Sequence, residues 1–283
     1  MKSAVENRCK SACRFAAQLY VEFWLNCTPN LRADLHRREA ATSLLAMEGE
    51  DAELISHPTR VGIYGQSGCG KTHLVTSLLK DPRLVYERVI WLCPEYSMKQ
   101  PDIAALAEEG KIKRKGAKAI PFLAIPCTPG WPERLEQAIS EGEYEDKEGR
   151  KKFRPQLVVL DDLIGKSGTS EGRIFNELFT GGRHRGLSVF ELLQRIFPNG
   201  NAREHRLNCE MHVVFNLGAA DEAGRLFRQT APRQWRALET EYGRVTSQNP
   251  HGAIWVDQRH HKKWPGLRFR TGLETCLVLP DSS

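Results

Sequence analysis

From residue 60 to residue 79 the chain reads Arg-Val-Gly-Ile-Tyr-Gly-Gln-Ser-Gly-Cys-Gly-Lys-Thr-His-Leu-Val-Thr-Ser-Leu-Leu. Gly65 to Thr72 matches G-x-x-x-x-G-K-T, the pattern of a phosphate-binding loop. The apolar run Val61 to Tyr64 enters it as a strand. Leu74, Val75, Leu78 and Leu79 leave it at helical spacing. A triphosphate needs several backbone N–H donors converging on its oxygens. Gly65, Gly68 and Gly70 let the main chain curl around it, with Gln66, Ser67 and Cys69 as the intervening positions. The helix starting near Lys71 adds the positive end of its dipole. Lys71 is placed to meet the β and γ phosphates of ATP, and the Thr72 hydroxyl to hold Mg²⁺. The bland alternative is a Gly-rich turn with a solvated lysine; the four fixed positions in strand–helix context favour the phosphate loop.

The loop predicts an α/β fold of the phosphate-loop NTPase type. It has a mainly parallel sheet with helices on both faces. A length of 283 residues allows one such domain with appendages. We divide it into a helical N-terminal arm, residues 1–57, and an ATPase domain, residues 58–283. In the arm Ala16, Leu19, Tyr20, Phe23 and Trp24 recur at helical spacing, Pro29 breaks the helix, and a second helix runs from Leu31 to about Met47. Phe15 to Leu25 is the longest apolar stretch. It is too short for a membrane span and contains Gln18 and Glu22, so no membrane partner is expected. The Met1 end lacks a signal-peptide cleavage pattern.

The formal net charge of +6 suits an acidic polymer as partner, without requiring one. The eight cysteines show no paired spacing, which suits reduced thiols in the cytosol or nucleus. Cys9, Cys13, Cys27 and His36 fit no standard zinc pattern.

Further strands are expected at Tyr86 to Cys93, Leu157 to Leu160, Leu187 to Leu193, Leu207 to Leu217 and Ala253 to Val256. Helices are expected at Ile103 to Glu109, Glu133 to Ser140, Arg173 to Phe179 and Asp221 to Gln229. Lys111 to Lys118 is basic and reads as a solvated turn or a DNA-phosphate contact. Residues 120 to 131 are Pro-rich and read as loop. Glu141 to Arg154, dense in both charges, reads as an exposed connector.

Leu157-Val158-Val159-Leu160-Asp161-Asp162 is an apolar run ending in two carboxylates. Downstream of a phosphate loop, this is the strand that organises magnesium and water. Asp161 orients Mg²⁺ and Asp162 serves as general base. The plain alternative is a buried strand that ends in two caps.

The blocks Leu157 to Leu163, Leu178-Phe-Thr-Gly-Gly-Arg-His-Arg-Gly-Leu-Ser-Val189, Gln194 and Arg206 to Phe215 resemble the viral genome-packaging ATPases of the FtsK–HerA superfamily. Those of poxviruses and of Polinton (Maverick) elements are most alike. The resemblance spans about Arg60 to Gln229. It implies a homo-oligomeric, hexamer-like ring that pumps double-stranded DNA into a preformed capsid. A capsid or portal protein would be a further partner, and the location would be the cytoplasm or nucleus of an infected cell, or the virion. It also implies that Gln194 is the polar sensor ending the fourth core strand, and that an arginine is supplied in trans, Arg206 first, then Arg185 or Arg183. The chain departs from the family in having Leu193-Gln194-Arg195 where Thr-Gln-Asn is common, and Ala219-Ala220-Asp221 where an Arg-Asp pair is common.

Two other classes share the phosphate loop. One is another DNA motor, a helicase, recombination or DNA-transfer ATPase. The other is a nucleotide-binding virion scaffold that does not hydrolyse. ATPase assay with and without DNA separates the motors from the scaffold.

Overall fold

The computed structural model describes residues 55–163, 170–197, 202–259 and 268–272, with backbone alone at 170–172, 202–204 and 220. The arm expected at residues 1–57 therefore lies outside the described residues up to residue 54. So do Cys9, Cys13, Cys27 and His36. In chain order the described elements begin with β1 (Arg60–Tyr64), α1 (Lys71–Leu79), β2 (Arg88–Cys93), α2 (Pro101–Glu109), β3 (Lys111–Arg114), β4 (Ala117–Pro126), α3 (Trp131–Ser140), β5 (Glu143–Glu145), β6 (Lys151–Phe153) and β7 (Gln156–Asp161). They continue with α4 (Ser170–Gly181), β8 (Leu187–Leu193), α5 (Ala202–Asn208), β9 (Met211–Val214), α6 (Ala220–Thr230), α7 (Trp235–Gln248), β10 (Ile254–Asp257) and β11 (Phe269–Arg270).

Nine strands form one sheet in the order β11-β10-β9-β1-β8-β7-β2-β4-β3. From β9 to β4 every neighbour is parallel, and the outer strands β3, β10 and β11 are antiparallel. The fold is thus the α/β class expected of a phosphate-loop NTPase. The physical reason lies in the strands themselves. β1, β7 and β8 are buried at every position, as strands covered on both faces must be. Along β2, Val89 and Trp91 join one apolar cluster, with Val75, Leu78 and Leu79 of α1. Ile90 and Leu92 join another, with Trp131 of α3 and Phe179 of α4. The period-two alternation fills two cores at once. A further cluster, under α6 and α7, takes Tyr64, Leu193, Val214, Phe227 and Tyr242.

Four readings are corrected. Residues 117–126 are a strand, not part of a Pro-rich loop: Ile120, Phe122 and Ile125 are buried while Pro121 and Leu123 are exposed. Pro121 is tolerated because its pairing with Lys111 is a non-hydrogen-bonded one: Phe122 N–H donates to Gly110 O at 3.0 Å on that side, and the ladder to β2 begins only at Val89–Phe122, so neither neighbour needs a donor from Pro121. Lys111 to Lys118 is accordingly a hairpin rather than a turn. Glu141 to Arg154 contains the hairpin β5–β6, whose turn is closed by the Asp146 carboxylate accepting from the N–H groups of Glu148 and Arg150. The strand expected at Leu207 to Leu217 shrinks to Met211–Val214, and Arg206 to Asn208 end helix α5. Helix α7 buries Leu238, Tyr242 and Val245 at helical spacing, a signal overlooked among its Glu and Arg residues.

Candidate active site

In a parallel sheet all strands deliver their C-terminal ends to one edge, and the loops there form the crevice. Strand β8 lies between β1 and β7, so it sits between the phosphate loop and the paired carboxylates. The register makes this concrete. Leu193 pairs with Tyr64 on one side, and Leu192 with Asp161 on the other. Gly65 N–H donates to Leu193 O at 3.0 Å, and Asp162 N–H to Leu192 O at 3.1 Å. Gln194, the next residue, therefore emerges between the two motifs.

The phosphate loop is packed from both sides. A Cβ on Gly65 would lie 2.5 Å from Cys69 Sγ and 2.6 Å from Phe215 Cβ, so no side chain fits there. Gly70 caps α1 in the left-handed region at φ 103°. His251 lies against the same turn. Its Nδ1–H donates to Cys69 O at 3.1 Å, and a Cβ on Gly70 would come within 3.3 Å of that nitrogen. Lys71 is buried, and its Nζ donates to Gly65 O at 2.6 Å and to Gln66 O at 3.0 Å. The ammonium is thus held over the loop it would serve.

The two carboxylates have different surroundings. Asp161 is buried on β7. Burial pushes its carboxyl up to about 6; the charge of Asp162 adds to this, while the Trp91 indole N–H and Lys71 act against it. Trp91 Nε1 donates to Asp161 Oδ2 at 3.3 Å. Asp162 turns off the strand in the left-handed region, φ 53°, a conformation that a short polar side chain tolerates better than most. The turn carries its carboxylate to Gln194, whose Nε2 donates to Asp162 Oδ2 at 2.9 Å. Tyr96 Oη donates to the same oxygen at 3.3 Å. Tyr96 stands on the 3-10 turn Glu95–Lys99 after β2 and is 64% exposed, so its hydroxyl reaches the carboxylate without a core role. No sequence motif marked it.

A cleft of about 520 Å³ opens beside the loop, lined by Gln66, Ser67, Gln194, Arg195, Gly218 and Glu222 among others. Glu222, in the first turn of α6, is buried. Its Oε1 accepts from Arg195 Nε and Nη2 at 3.0 and 2.8 Å, and its Oε2 accepts from Ile196 N–H at 2.9 Å. Burial raises this carboxyl, but the Arg195 guanidinium and the backbone donors outweigh it and hold the group below its ordinary value. The segment that follows Gln194 is therefore fastened to α6.

Of the expected site residues, the fold brings together Gly65 to Thr72, Asp161, Asp162 and Gln194. The arginines lie elsewhere. Arg206 is buried on α5, with Nη1 donating to Ile196 O at 3.3 Å and its guanidinium 4.2 Å from the Phe197 ring centre. Arg183 pairs with Glu210, and Arg185 with Glu136 at 2.7 Å. Both precede β8, so the length of that strand, roughly 20 Å, separates them from Gln194 in the same chain.

The donor chemistry fits Mg²⁺ and a nucleoside triphosphate. A hydroxyl and a carboxylate supply hard oxygen ligands, and magnesium in phosphate-transfer sites takes one or two carboxylates plus phosphate oxygens. A cation would also relieve the burial that raises Asp161. Among the described residues no group of three or more His, Cys, Asp or Glu forms a closed metal cage, no disulfide is formed, and no helix is long and apolar enough to cross a membrane.

No protein-family model matches this chain, and no curated protein matches it. Among solved structures it is similar to the genome packaging NTPase B204 of Sulfolobus turreted icosahedral virus 2 in complex with sulfate, at 14% identity and a TM-score of 0.47, covering 71% of this chain and 92% of that one. The same NTPase in complex with ATP-gammaS gives 12% identity and a TM-score of 0.47, over 71% of this chain and 93% of that one. EssC (ATPases 2 and 3) from Geobacillus thermodenitrificans gives 12% identity and a TM-score of 0.47, over 80% of this chain and 40% of that one. Likenesses this distant carry no argument about activity, which rests on the site.

Proposed function

We propose that this protein is an ATP-driven double-stranded DNA translocase that packages a viral or virus-like genome into a capsid, working as a homo-oligomeric ring. The observation that carries the hydrolytic part is the Asp162–Gln194 contact of 2.9 Å at the mouth of the phosphate loop. A carboxylate and an amide brought together beside a phosphate cradle can bind one water jointly, through the carboxylate's other oxygen and the amide carbonyl, and respond to its consumption. The packaging part rests on the sequence blocks that resemble the FtsK–HerA packaging enzymes.

In this reading the backbone N–H groups of Gly65 to Thr72 and the Lys71 ammonium bind the β and γ phosphates of ATP. Thr72 and Asp161 hold Mg²⁺, which when bound neutralises phosphate charge. Asp162 accepts the proton of the attacking water as its oxygen bonds to the γ-phosphorus and the bond to the β–γ bridging oxygen breaks. Gln194 orients that water and passes the change to Arg195 and, through Glu222, to α6. Tyr96 keeps the Asp162 carboxylate in place when Gln194 moves. An arginine from a neighbouring subunit completes charge stabilisation, with Arg206, Arg185 and Arg183 the candidates in that order by sequence. Their placement favours Arg183 and Arg185, which lie on the surface, over the buried Arg206. A capsid or portal protein would receive the DNA.

The test is hydrolysis by two variants. Lys71→Ala should abolish turnover and weaken nucleotide binding. Asp162→Asn should bind ATP and leave it intact. Undiminished turnover in either variant overturns the assignment of this site.

A further inference from the structure

Four arginines fall within residues 225–236, where helix α6 gives way to α7; Arg225 stands over the Phe197 ring at 4.2 Å, and the other three lie further along. Arg225 and Arg228 lie three residues apart on α6, hence on one helix face. Arg233 lies in the turn that follows, and Arg236 opens α7 beside Trp235. The guanidinium carbons of Arg228 and Arg236 stand 5.1 and 5.2 Å from the Trp235 ring centre. All four arginines are exposed, and among the described residues none is ion-paired with a carboxylate. One acid is close: Glu239 on α7, whose Oε1 would lie 2.4 Å from a Cβ on Gly224, where Arg228 Nη1 would lie at 3.8 Å. Asp221, exposed one turn before Arg225 on α6, is a second acid, and the four arginines leave the corner net positive.

We propose that this α6–α7 corner grips the phosphate backbone of double-stranded DNA. The inference rests on the translocase reading and names the surface it requires. Three physical points support it. The Trp235 ring holds two guanidinium groups beside it while both arginines stay exposed, so the planar fork that arginine presents better than lysine is available to phosphate oxygens. The corner offers charge without a base-reading groove, as a motor that moves along any sequence needs. It also shares a helix with the candidate site. Glu222, which fastens the segment after Gln194, stands six residues before Arg228, about 9 Å along α6. Tension on the corner therefore acts on the element that holds the sensor turn.

The basic run Lys111 to Lys118 is less suited. It forms the β3–β4 hairpin at the opposite edge of the sheet. There Lys113 pairs with Glu109 at 2.9 Å, and Arg114 donates to Leu84 O at 2.7 Å and to Lys118 O at 3.1 Å.

The test is fluorescence anisotropy of a labelled mixed-sequence duplex, titrated at several salt concentrations with the full chain. In Arg228→Gln/Arg233→Gln/Arg236→Gln the affinity at low salt should fall at least ~10-fold, and the slope of log K against log salt should flatten by about 3. The lysine triple at the same positions should keep the slope, and the thermal unfolding midpoint should match wild type in both. A glutamine triple that binds duplex with the wild-type slope overturns the surface alone. A lysine triple that loses as much slope as the glutamine triple shows a structural effect and also overturns it. Loss of polyglutamate binding in the glutamine triple, with duplex binding and its salt slope intact, overturns the DNA assignment in favour of an acidic protein. A wild-type chain that binds no duplex overturns the translocase reading itself.

Discussion

Asp161 and Asp162 are adjacent in sequence and opposite in environment. Asp161 is buried beside Trp91, with its carboxyl raised to about 6, whereas Asp162 reaches a hydroxyl and an amide at the surface. A carboxyl whose native value lies above its unfolded value holds an extra proton in the folded state between the two. Its burial therefore costs stability as pH rises from about 4 to about 6. Metal binding requires the deprotonated form. Affinity for Mg²⁺ should accordingly fall as pH drops through about 6, and added Mg²⁺ should stabilise the fold more at pH 7.5 than at pH 5 by roughly the same linkage. A Mg²⁺ titration followed by unfolding and by tryptophan fluorescence checks both, and equal Mg²⁺ affinity at the two pH values would be inconsistent with metal held by Asp161. Tyr96→Phe removes one hydrogen bond to Asp162 from an exposed side chain. Turnover should fall about 3- to 10-fold with KM for ATP unchanged, the worth of one such bond. A rise in KM with turnover intact would place Tyr96 in binding instead. The Asp pair was legible from the apolar run before it. Tyr96 was not, because nothing local distinguishes an exposed tyrosine that meets a carboxylate 66 residues away.

At the scale of elements, the link between strand β8 and helix α6 is the feature to test. Glu222 accepts from Arg195 and from the N–H of Ile196. Glu222→Ala leaves a buried donor without its partner and should destabilise the protein by about 2–3 kcal/mol, read from the urea midpoint. It should also uncouple the sensor, so that hydrolysis loses its response to DNA. A variant as stable and as responsive as wild type would show that Glu222 fastens nothing. Strands and helices with a full apolar period were readable in sequence: β1, β8, α2, α3 and α6 lie close to where periodicity puts them. β4 was misread because Pro121 and Pro126 look like loop punctuation, whereas Pro121 lies in a non-hydrogen-bonded pair with β3 and Pro126 ends the strand against Cys93 of β2. The short β9 was overextended because the apolar residues Leu207 and Leu217 flank it. Leu207 is in fact exposed on α5, and Leu217 packs beyond the strand under α7.

For the whole molecule, a site completed by a neighbour predicts more than linear growth of activity with protein concentration. Hydrolysis per chain should be slow where sizing shows monomer and should climb as rings form. A strictly linear dependence through that range would mean that each chain is complete by itself. The same geometry explains why Arg183 and Arg185 cannot serve their own loop: they stand at the start of β8 while Gln194 stands at its end. The proposed DNA surface follows the same logic of scale, since Arg228 of α6 and Arg236 of α7 meet at Trp235 only when the two helices pack on their shared apolar cluster.

The sequence by itself determined the phosphate loop, the carboxylate strand and the alternation that buries a parallel sheet on both faces. Each is local, written in residue types within one strand–turn–helix or in a period of two or 3.6. Tertiary structure alone decided that β8 inserts between β1 and β7, and so that Gln194 meets Asp162. It alone decided that Tyr96 reaches Asp162, that Glu222 fastens the segment after Gln194, and that Arg206 turns inward. Those contacts join residues far apart in the chain, and their geometry depends on strand order and register, which no short stretch of sequence encodes.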